Sequence, residues 1–282
     1  MRRAGKRIAI LFHARRPPSV QYLVEILGRF WHDDGHEVVY LHGTERFVPA
    51  DLLIVHVDLS VVPEPYLEFA ARYPIVLNGR VRDVRKSVTS RQLVRPGDGW
   101  DGPVIVKSDL NHGGVPERMI GPPWAQRLGH ARSVAARVAG RGVPATTRDY
   151  RVFDRLDDVP ARWLERSDLV VERFLPELED GLYHVRMYLF LGDRGRCSRI
   201  GSTDPVFDAT ETIGSEVVEP HPQVVSWARE LGLDYGKLDY TLHDGEPVLL
   251  DVNKTVGAVD YLPGETMRAV RRRQADGLYG YL

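Results

Sequence analysis

LDYTLHDGEPVLLDVNKT spans Leu238 to Thr255 and places two carboxylates and an amide, Asp239, Asp251 and Asn253, in a run that otherwise reads as a buried β-hairpin. Two apolar-rich strands flank His243-Asp244-Gly245, and the length of the loop decides which side chains share a face. A two-residue loop pairs Tyr240 with Leu249 and Leu238 with Asp251, which mixes apolar and acidic residues. A three-residue loop ending in Gly245, a type I turn closed by a G1 bulge, pairs Tyr240 with Val248 and Leu238 with Leu250. The hydrophobic pattern therefore predicts the odd loop, because a one-residue slip turns every side chain to the other face. In that register Leu238, Tyr240, Val248, Leu250 and Val252 form a core face, and Lys237, Asp239, Asp251 and Asn253 form the opposite one. Two carboxylates this close repel each other unless a cation or proton sits between them. Oxygen ligands of this kind suit Mg²⁺, which often takes one or two carboxylates plus substrate phosphates. The plainer alternative is a set of acids on a wet hairpin face.

The rest of the chain supplies the setting. Its 282 residues suffice for one large domain or two to three small ones, and 43% hydrophobic with 27% charged residues is ordinary for a globular protein. A formal net charge of −1 gives no reason to expect a nucleic-acid or anionic-membrane partner. No stretch approaches the roughly 18–20 apolar residues of a membrane span. The single cysteine, Cys197, can form no internal disulfide, and a reducing cytoplasm is the simplest setting.

Strand and helix patterns alternate over residues 1–80. Arg7 to His13, Glu37 to His42, Asp51 to Val57 and Pro74 to Asn78 read as strands, and Ser19 to Trp31 and Pro65 to Tyr73 as helices. That alternation predicts a small parallel sheet, hence an α/β fold. Further on, PVIVK (103–107) is a short strand, followed by the polar, glycine-containing loop SDLNHGG and a helix near residues 125–139. Tyr150 to Phe153 and Leu169 to Phe174 read as strands. The last third is the most β-rich, with a hairpin around GDRG, a helix over Pro222 to Leu231, the opening stretch, and a short basic C-terminal helix.

Two other clusters read as structural. In HDDGH (His32 to His36) Gly35 breaks the helix that would align the two imidazoles on a metal, so a helix end before a strand is the simpler reading. Cys197 has no histidine nearby and reads as a buried thiol rather than a nucleophile.

The stretch GLDYGKLDYTLHDGEPVLLDVNKTVG resembles the C-terminal signature of the ATP-grasp superfamily, the glutathione synthetase and RimK-like ligases. That signature is an Asp, a hairpin, then an acid-x-Asn before a turn. PVIVKSDLNHGG is similar to the strand lysine and glycine-rich loop that hold ATP phosphates, and LVVERFLPELE to the hinge that takes adenine and ribose. The resemblance implies an N-terminal pre-ATP-grasp domain (1–85), a central or lid subdomain (86–170) and a C-terminal subdomain with the metal site (171–282).

It also implies roles. Lys107, with Lys86 as a second cation, would contact the phosphates beside the backbone of His112, Gly113 and Gly114. Glu172, Arg173 and Phe174 would form the hinge, with backbone groups reading adenine. Glu179, or alternatively Glu177, would accept from the ribose hydroxyls. Asp239, Asp251 and Asn253 would hold Mg²⁺, with Mn²⁺ as a substitute. Arg186 and Arg199 would steady the transferring phosphoryl group, their alternative being pairing with nearby acids. The activity implied is Mg²⁺-ATP-dependent ligation of a small-molecule or peptide carboxylate to an amine through an acyl phosphate, in a protein of a superfamily that is often dimeric. A small-molecule kinase and a non-catalytic ATP-binding protein are the alternatives.

The chain departs from the pattern in three places. An Asp precedes Val252-Asn253 where a Glu is frequent. The following turn, Lys254 to Gly257, lacks proline. Lys86 lies only 21 residues before Lys107, and GVPATT (142–147) follows Lys107 instead of preceding it.

Overall fold

The computed structural model describes residues 5–120, 144, 149–207, 212–258 and 264–282. The helix expected near 125–139, and GVPATT except Pro144, lie outside the described residues. Among the described residues no helix is long and apolar enough to cross a membrane.

Strands β1 (Arg7–Phe12), β2 (Glu37–His42), β3 (Leu52–Val55) and β4 (Val76–Leu77) form a parallel sheet in the order β2-β1-β3-β4. β1 and β3 read RIAILF and LLIV because both faces of a parallel sheet are covered. Ile8, Ile10 and Phe12 pack on Leu23, Leu27 and Trp31 of helix α1 (Leu23–Asp33), while Ala9 and Leu11 pack on Leu67, Phe69 and Ala70 of α2 (Glu64–Ala70). Helix α1 begins four residues later than its apolar spacing predicts. Tyr22 is held extended by a bridge to Gly257, and the Leu23 N–H donates to the Val256 carbonyl at 2.9 Å. The residues just after the opening stretch thus claim the start of the helix.

A second, three-stranded antiparallel sheet places β5 (Val104–Ser108) between β6 (Arg151–Phe153) and β7 (Leu169–Arg173). Short helices α3 (Lys86–Thr89) and α4 (Val115–Ile120) flank β5 in the chain, and α5 (Ala161–Leu164) brings Trp163 into a small core with Val104, Val106 and Val171.

The third sheet comprises β8 (Glu177–Glu179), β9 (Leu182–Leu191), β10 (Arg194–Ser202), β11 (Gly214–Val218), β12 (Tyr235–His243) and β13 (Glu246–Asn253). Its order is β11-β10-β9-β12-β13, with β8 on β9. One face buries Tyr188, Phe190, Cys197, Leu238 and Tyr240 against Val224 and Trp227 of α6 (Pro222–Glu230). The C-terminal helix α7 (Gly264–Ala275) packs on α1, where the Trp31 indole N–H donates to the Ala275 carbonyl at 2.9 Å.

The opening hairpin differs from its predicted register. Asp244 and Gly245 have φ of +52° and +84°, and His243 pairs with Glu246, so the loop has two residues, a type I′ turn, and not three. Tyr240 does pair with Leu249, yet the faces do not mix, because the ladder shifts between Asp239 and Tyr240. Leu250 is the additional residue, a β-bulge. Beyond it Asp239 lies opposite Asp251, Leu238 opposite Val252 and Lys237 opposite Asn253. Leu249, in place of the expected Val248 and Leu250, joins Leu238, Tyr240 and Val252 in the core. Val248 and Leu250 turn instead to the same side as Asp239, Asp251 and Asn253.

Candidate active site

That side of the hairpin is one wall of a cleft of about 610 Å³. β12 and β13 supply Lys237, Asp239, Asp251 and Asn253; the three-stranded sheet supplies Lys107 and Glu172 from the facing wall, and Lys86 comes from α3. Three ion pairs span the site. Lys86 Nζ lies 2.9 Å from Asp251 Oδ1, Lys107 Nζ 2.6 Å from Glu172 Oε2, and Lys237 Nζ 2.7 Å from Asp239 Oδ2. The bulge contributes as well, since Lys107 donates to the Leu250 carbonyl at 3.4 Å.

Asp239 Oδ1 and Glu172 Oε1 are buried without a hydrogen-bond partner among the described residues, and the equally buried Asp251 Oδ1 is met only by the Lys86 ammonium. Native structures rarely leave such atoms unmatched unless a ligand, ion or water completes them. Electrostatics divides the two aspartates. Burial, reinforced by the neighbouring Asp251 charge, pushes Asp239 above the ordinary carboxylate range although Lys237 opposes it. Burial works against the Asp251 charge too, but Lys86 outweighs it and holds Asp251 below that range. Lys86 is itself desolvated, yet Asp251 and Tyr150 keep its ammonium above the usual lysine value.

No family model matches the sequence, and no curated protein is similar to it in sequence. In solved structures the chain is similar to a D-alanine–D-alanine ligase from Bacillus anthracis complexed with ATP. The two share 13% identity over 98% of this chain and 97% of that one, with a TM-score of 0.51. It is also similar to a RimK-domain ATP-grasp protein from Sphaerobacter thermophilus, at 14% identity over 97% of this chain and 100% of that one, with a TM-score of 0.49. The chain has the ATP-grasp fold.

Within that fold the sequence-predicted residues separate into three groups. Lys86, Lys107, His112, Glu172, Arg173, Phe174, Asp239, Asp251 and Asn253 all line the cleft. The short spacing from Lys86 to Lys107 is no obstacle, because the Lys86 N–H donates to the Asp109 carbonyl at 3.0 Å and so brings α3 beside the end of β5.

Gly113 and Gly114 are buried in the loop and do not line the cleft. They serve the turn: His112, Gly113 and Gly114 have φ of +47°, +60° and +71°, and a Cβ on Gly114 would meet Leu110 Cδ1 at 2.8 Å. The hinge reading is also altered. The N–H groups of Arg173 and Phe174 already donate to the Gln92 and Pro103 carbonyls, at 2.8 and 2.9 Å, and are not open to adenine. The Arg173 guanidinium lies 4.8 Å over the Trp100 ring.

Arg186, Arg199 and Glu179 are not brought to the cleft. They line a separate shallow surface with Glu177, on the side of the sheet that packs α6. Arg186 and Arg199 both bond Glu177, with closest contacts of 2.8 and 2.7 Å, and Arg199 also bonds Glu179 and Glu216. The physical reason is strand parity. Arg186 pairs with Tyr240, a core residue, whereas its neighbour Met187 pairs with Asp239.

Asp239, Asp251 and Asn253 fit Mg²⁺ by donor chemistry. Two carboxylates and the Asn253 amide oxygen, which accepts from the Thr255 N–H at 2.8 Å, share one face, and Asp239 Oδ1 is unmatched. Among the described residues no three His, Cys, Asp or Glu side chains gather as a metal cage, so further ligands would come from substrate phosphates and water, as Mg²⁺ prefers. Sequence reasoning missed Tyr150 in the cleft.

Proposed function

We propose that the chain is a Mg²⁺-ATP-dependent carboxylate–amine ligase that activates its acid substrate as an acyl phosphate. The cleft carries this reading: two buried lysines, Lys86 and Lys107, line it together with the cross-strand pair Asp239 and Asp251, and Asp239 Oδ1 is unmatched. The similarly folded D-alanine–D-alanine ligase is complexed with ATP, which supports a nucleotide as a ligand of this fold.

Phosphoryl transfer needs positioning and charge neutralisation more than a protein nucleophile. The cleft offers those, and among the described residues no cysteine or serine lines it. Cys197 is on the opposite face, its Sγ 3.4 Å from the Tyr240 hydroxyl, and burial pushes its thiol above the ordinary range. Lys107 and Lys86 would hold the phosphates, each exchanging a carboxylate partner for a phosphate oxygen. Asp239, Asp251 and Asn253 would hold Mg²⁺, which neutralises β- and γ-phosphate charge when bound. Glu172, released by Lys107, would turn its unmatched oxygen to the nucleotide. In this reading residues 1–85, 86–170 and 171–282 act as pre-ATP-grasp, central and C-terminal units.

Incubating the protein with Mg²⁺-ATP, pooled carboxylates and hydroxylamine tests the proposal. A ligase releases phosphate and forms a hydroxamate. A stable phosphorylated product instead indicates a kinase, and nucleotide binding with no turnover indicates a non-catalytic protein; either result overturns the ligase reading.

A further inference from the structure

His112 lines two cavities, the cleft and a smaller one of about 110 Å³ on its other side. The smaller cavity lies at the carboxyl ends of β1 and β3, where open parallel sheets bind ligands. His56 and Asp58 follow β3, Arg16 follows β1, and α4 covers the opening with Val115, Met119 and Ile120.

His56 is fully buried, and neither of its ring nitrogens has a hydrogen-bond partner among the described residues. Its surroundings are aromatic, with the Tyr22 and Phe12 rings at 4.7 and 5.2 Å. Burial, with the nearby Lys254 and Arg16 charges, lowers its pKa to about 3, so the ring is neutral and offers one donor and one acceptor. Arg16 is similarly incomplete. One end of its guanidinium bonds the Val20 carbonyl and Glu25, each at 2.6 Å, while Nε is buried without a partner. Asp58 is held in place by the Tyr22 and Thr255 hydroxyls, both at 2.6 Å. The wall thus carries one carboxylate and one guanidinium beside the aromatic rings and the aliphatic side chains Val20, Val115 and Ile120.

The cavity is tied to the cleft through the opening stretch. Asn253 lines the cleft, Lys254 donates to the Val57 carbonyl, and Thr255 donates to Asp58. Three consecutive residues therefore connect the candidate metal ligands to the cavity wall.

We infer that this cavity binds a small zwitterionic amino acid with an aliphatic side chain, its ammonium on Asp58 and its carboxylate on Arg16 and His56. The role of that amino acid as the amine substrate rests on the ligase reading; the binding itself does not. A volume of 110 Å³ limits the side chain to a few carbons.

Calorimetric titration of the full chain with glycine, alanine and valine of both hands, with ethylamine and with propionate, tests the site. Alanine or valine should bind at least tenfold more tightly than ethylamine or propionate. Asp58→Asn should weaken that binding at least tenfold and leave the affinity for a non-hydrolysable ATP analogue within twofold. Because Asp58 also anchors Tyr22 and Thr255, Val115→Phe, which fills the cavity from α4, is the second variant and should abolish amino-acid binding. The inference is overturned when no amino acid binds with or without the ATP analogue, when ethylamine and propionate bind as well as alanine, or when Val115→Phe binds like the parent. Hydroxamate formation without amino-acid binding overturns the cavity alone. Amino-acid binding without ATP turnover overturns the ligase reading and leaves the cavity standing.

Discussion

Two clusters of buried charge lie on opposite faces of the six-stranded sheet, and they are built from similar residues with opposite outcomes. On the α6 side, Glu177 accepts from Arg186, Arg199 and the Leu242 N–H, so both of its oxygens are matched. Burial opposes its charge, but the arginines outweigh that and hold it below the usual carboxylate range. On the cleft side, lysines pair with Asp239, Asp251 and Glu172, yet Asp239 Oδ1 and Glu172 Oε1 are left over. Geometry explains part of the contrast. Planar guanidinium groups satisfy a carboxylate two bonds at a time, whereas each lysine is a point charge that moves readily to a new anion. A saturated cluster stiffens the sheet; an unsaturated one is suited to exchange partners with a ligand.

The largest expected effect separates the two clusters by activity. Asp251→Asn should lower ATP turnover by about 10²–10³-fold, the scale for losing one preorganised electrostatic contact, while Glu177→Gln should stay within about threefold. Steady-state phosphate release by both variants, each shown folded by circular dichroism, gives the answer. Equal losses in the two would erase the distinction between the faces. By stability the order reverses. Glu177→Ala leaves Arg186 and Arg199 without their shared acid and should cost about 3 kcal/mol in chemical denaturation, with nucleotide affinity unchanged. A loss below about 0.5 kcal/mol would mean that the matched cluster contributes no more than a surface pair.

This contrast was only half legible in the sequence. Alternation along the strands showed that Asp239, Asp251 and Asn253 share a face, and that survived even though the predicted loop was one residue too long. Two local departures, the type I′ turn and the Leu250 bulge, offset each other, so the face was right for the wrong pairing. A bulge leaves no mark in a hydrophobic pattern when its extra residue is a leucine. For Arg186 and Arg199 the alternative reading, pairing with nearby acids, is the one observed, for a different reason. Their face depends on the register of β9 against β12, and no local signal crosses that distance in the chain. The parallel sheet was readable because strand and helix patterns alternate over residues 1–80. The start of α1 was not, since Gly257 and Val256, more than 230 residues away in sequence, fix it.

His56 extends the contrast to the parallel sheet, where it is an unmatched group with no charge to exchange. Its native pKa of about 3 lies below the ordinary 6.5. Between those values the unfolded chain takes up a proton that the native state excludes. Stability from this residue is therefore complete above pH 6.5 and falls on acidification by about 1.4 kcal/mol per pH unit. The difference between the parent and His56→Phe, measured by urea denaturation from pH 7 to pH 4, should trace that slope. Parallel curves would show that the native state admits the proton as readily as the unfolded chain, so that burial does not hold the ring neutral.

The smallest effect bears on the hairpin that joins the two faces. A type I′ turn holds Asp244 at φ +52°, a region that Asp and Asn tolerate far better than Ala. Asp244→Ala should therefore cost about 1 kcal/mol, and Asp244→Asn close to nothing. Had the loop contained three residues, Asp244 would sit in the right-handed region of a type I turn, and alanine would be tolerated. Because Asp244 is exposed and remote from both charge clusters, any change in turnover accompanying the stability loss would show that the bulge at Leu250 moves with the turn. Unchanged turnover would show that the ladder from Tyr240 to His243 isolates the Asp239–Asp251 pair from the turn that creates it.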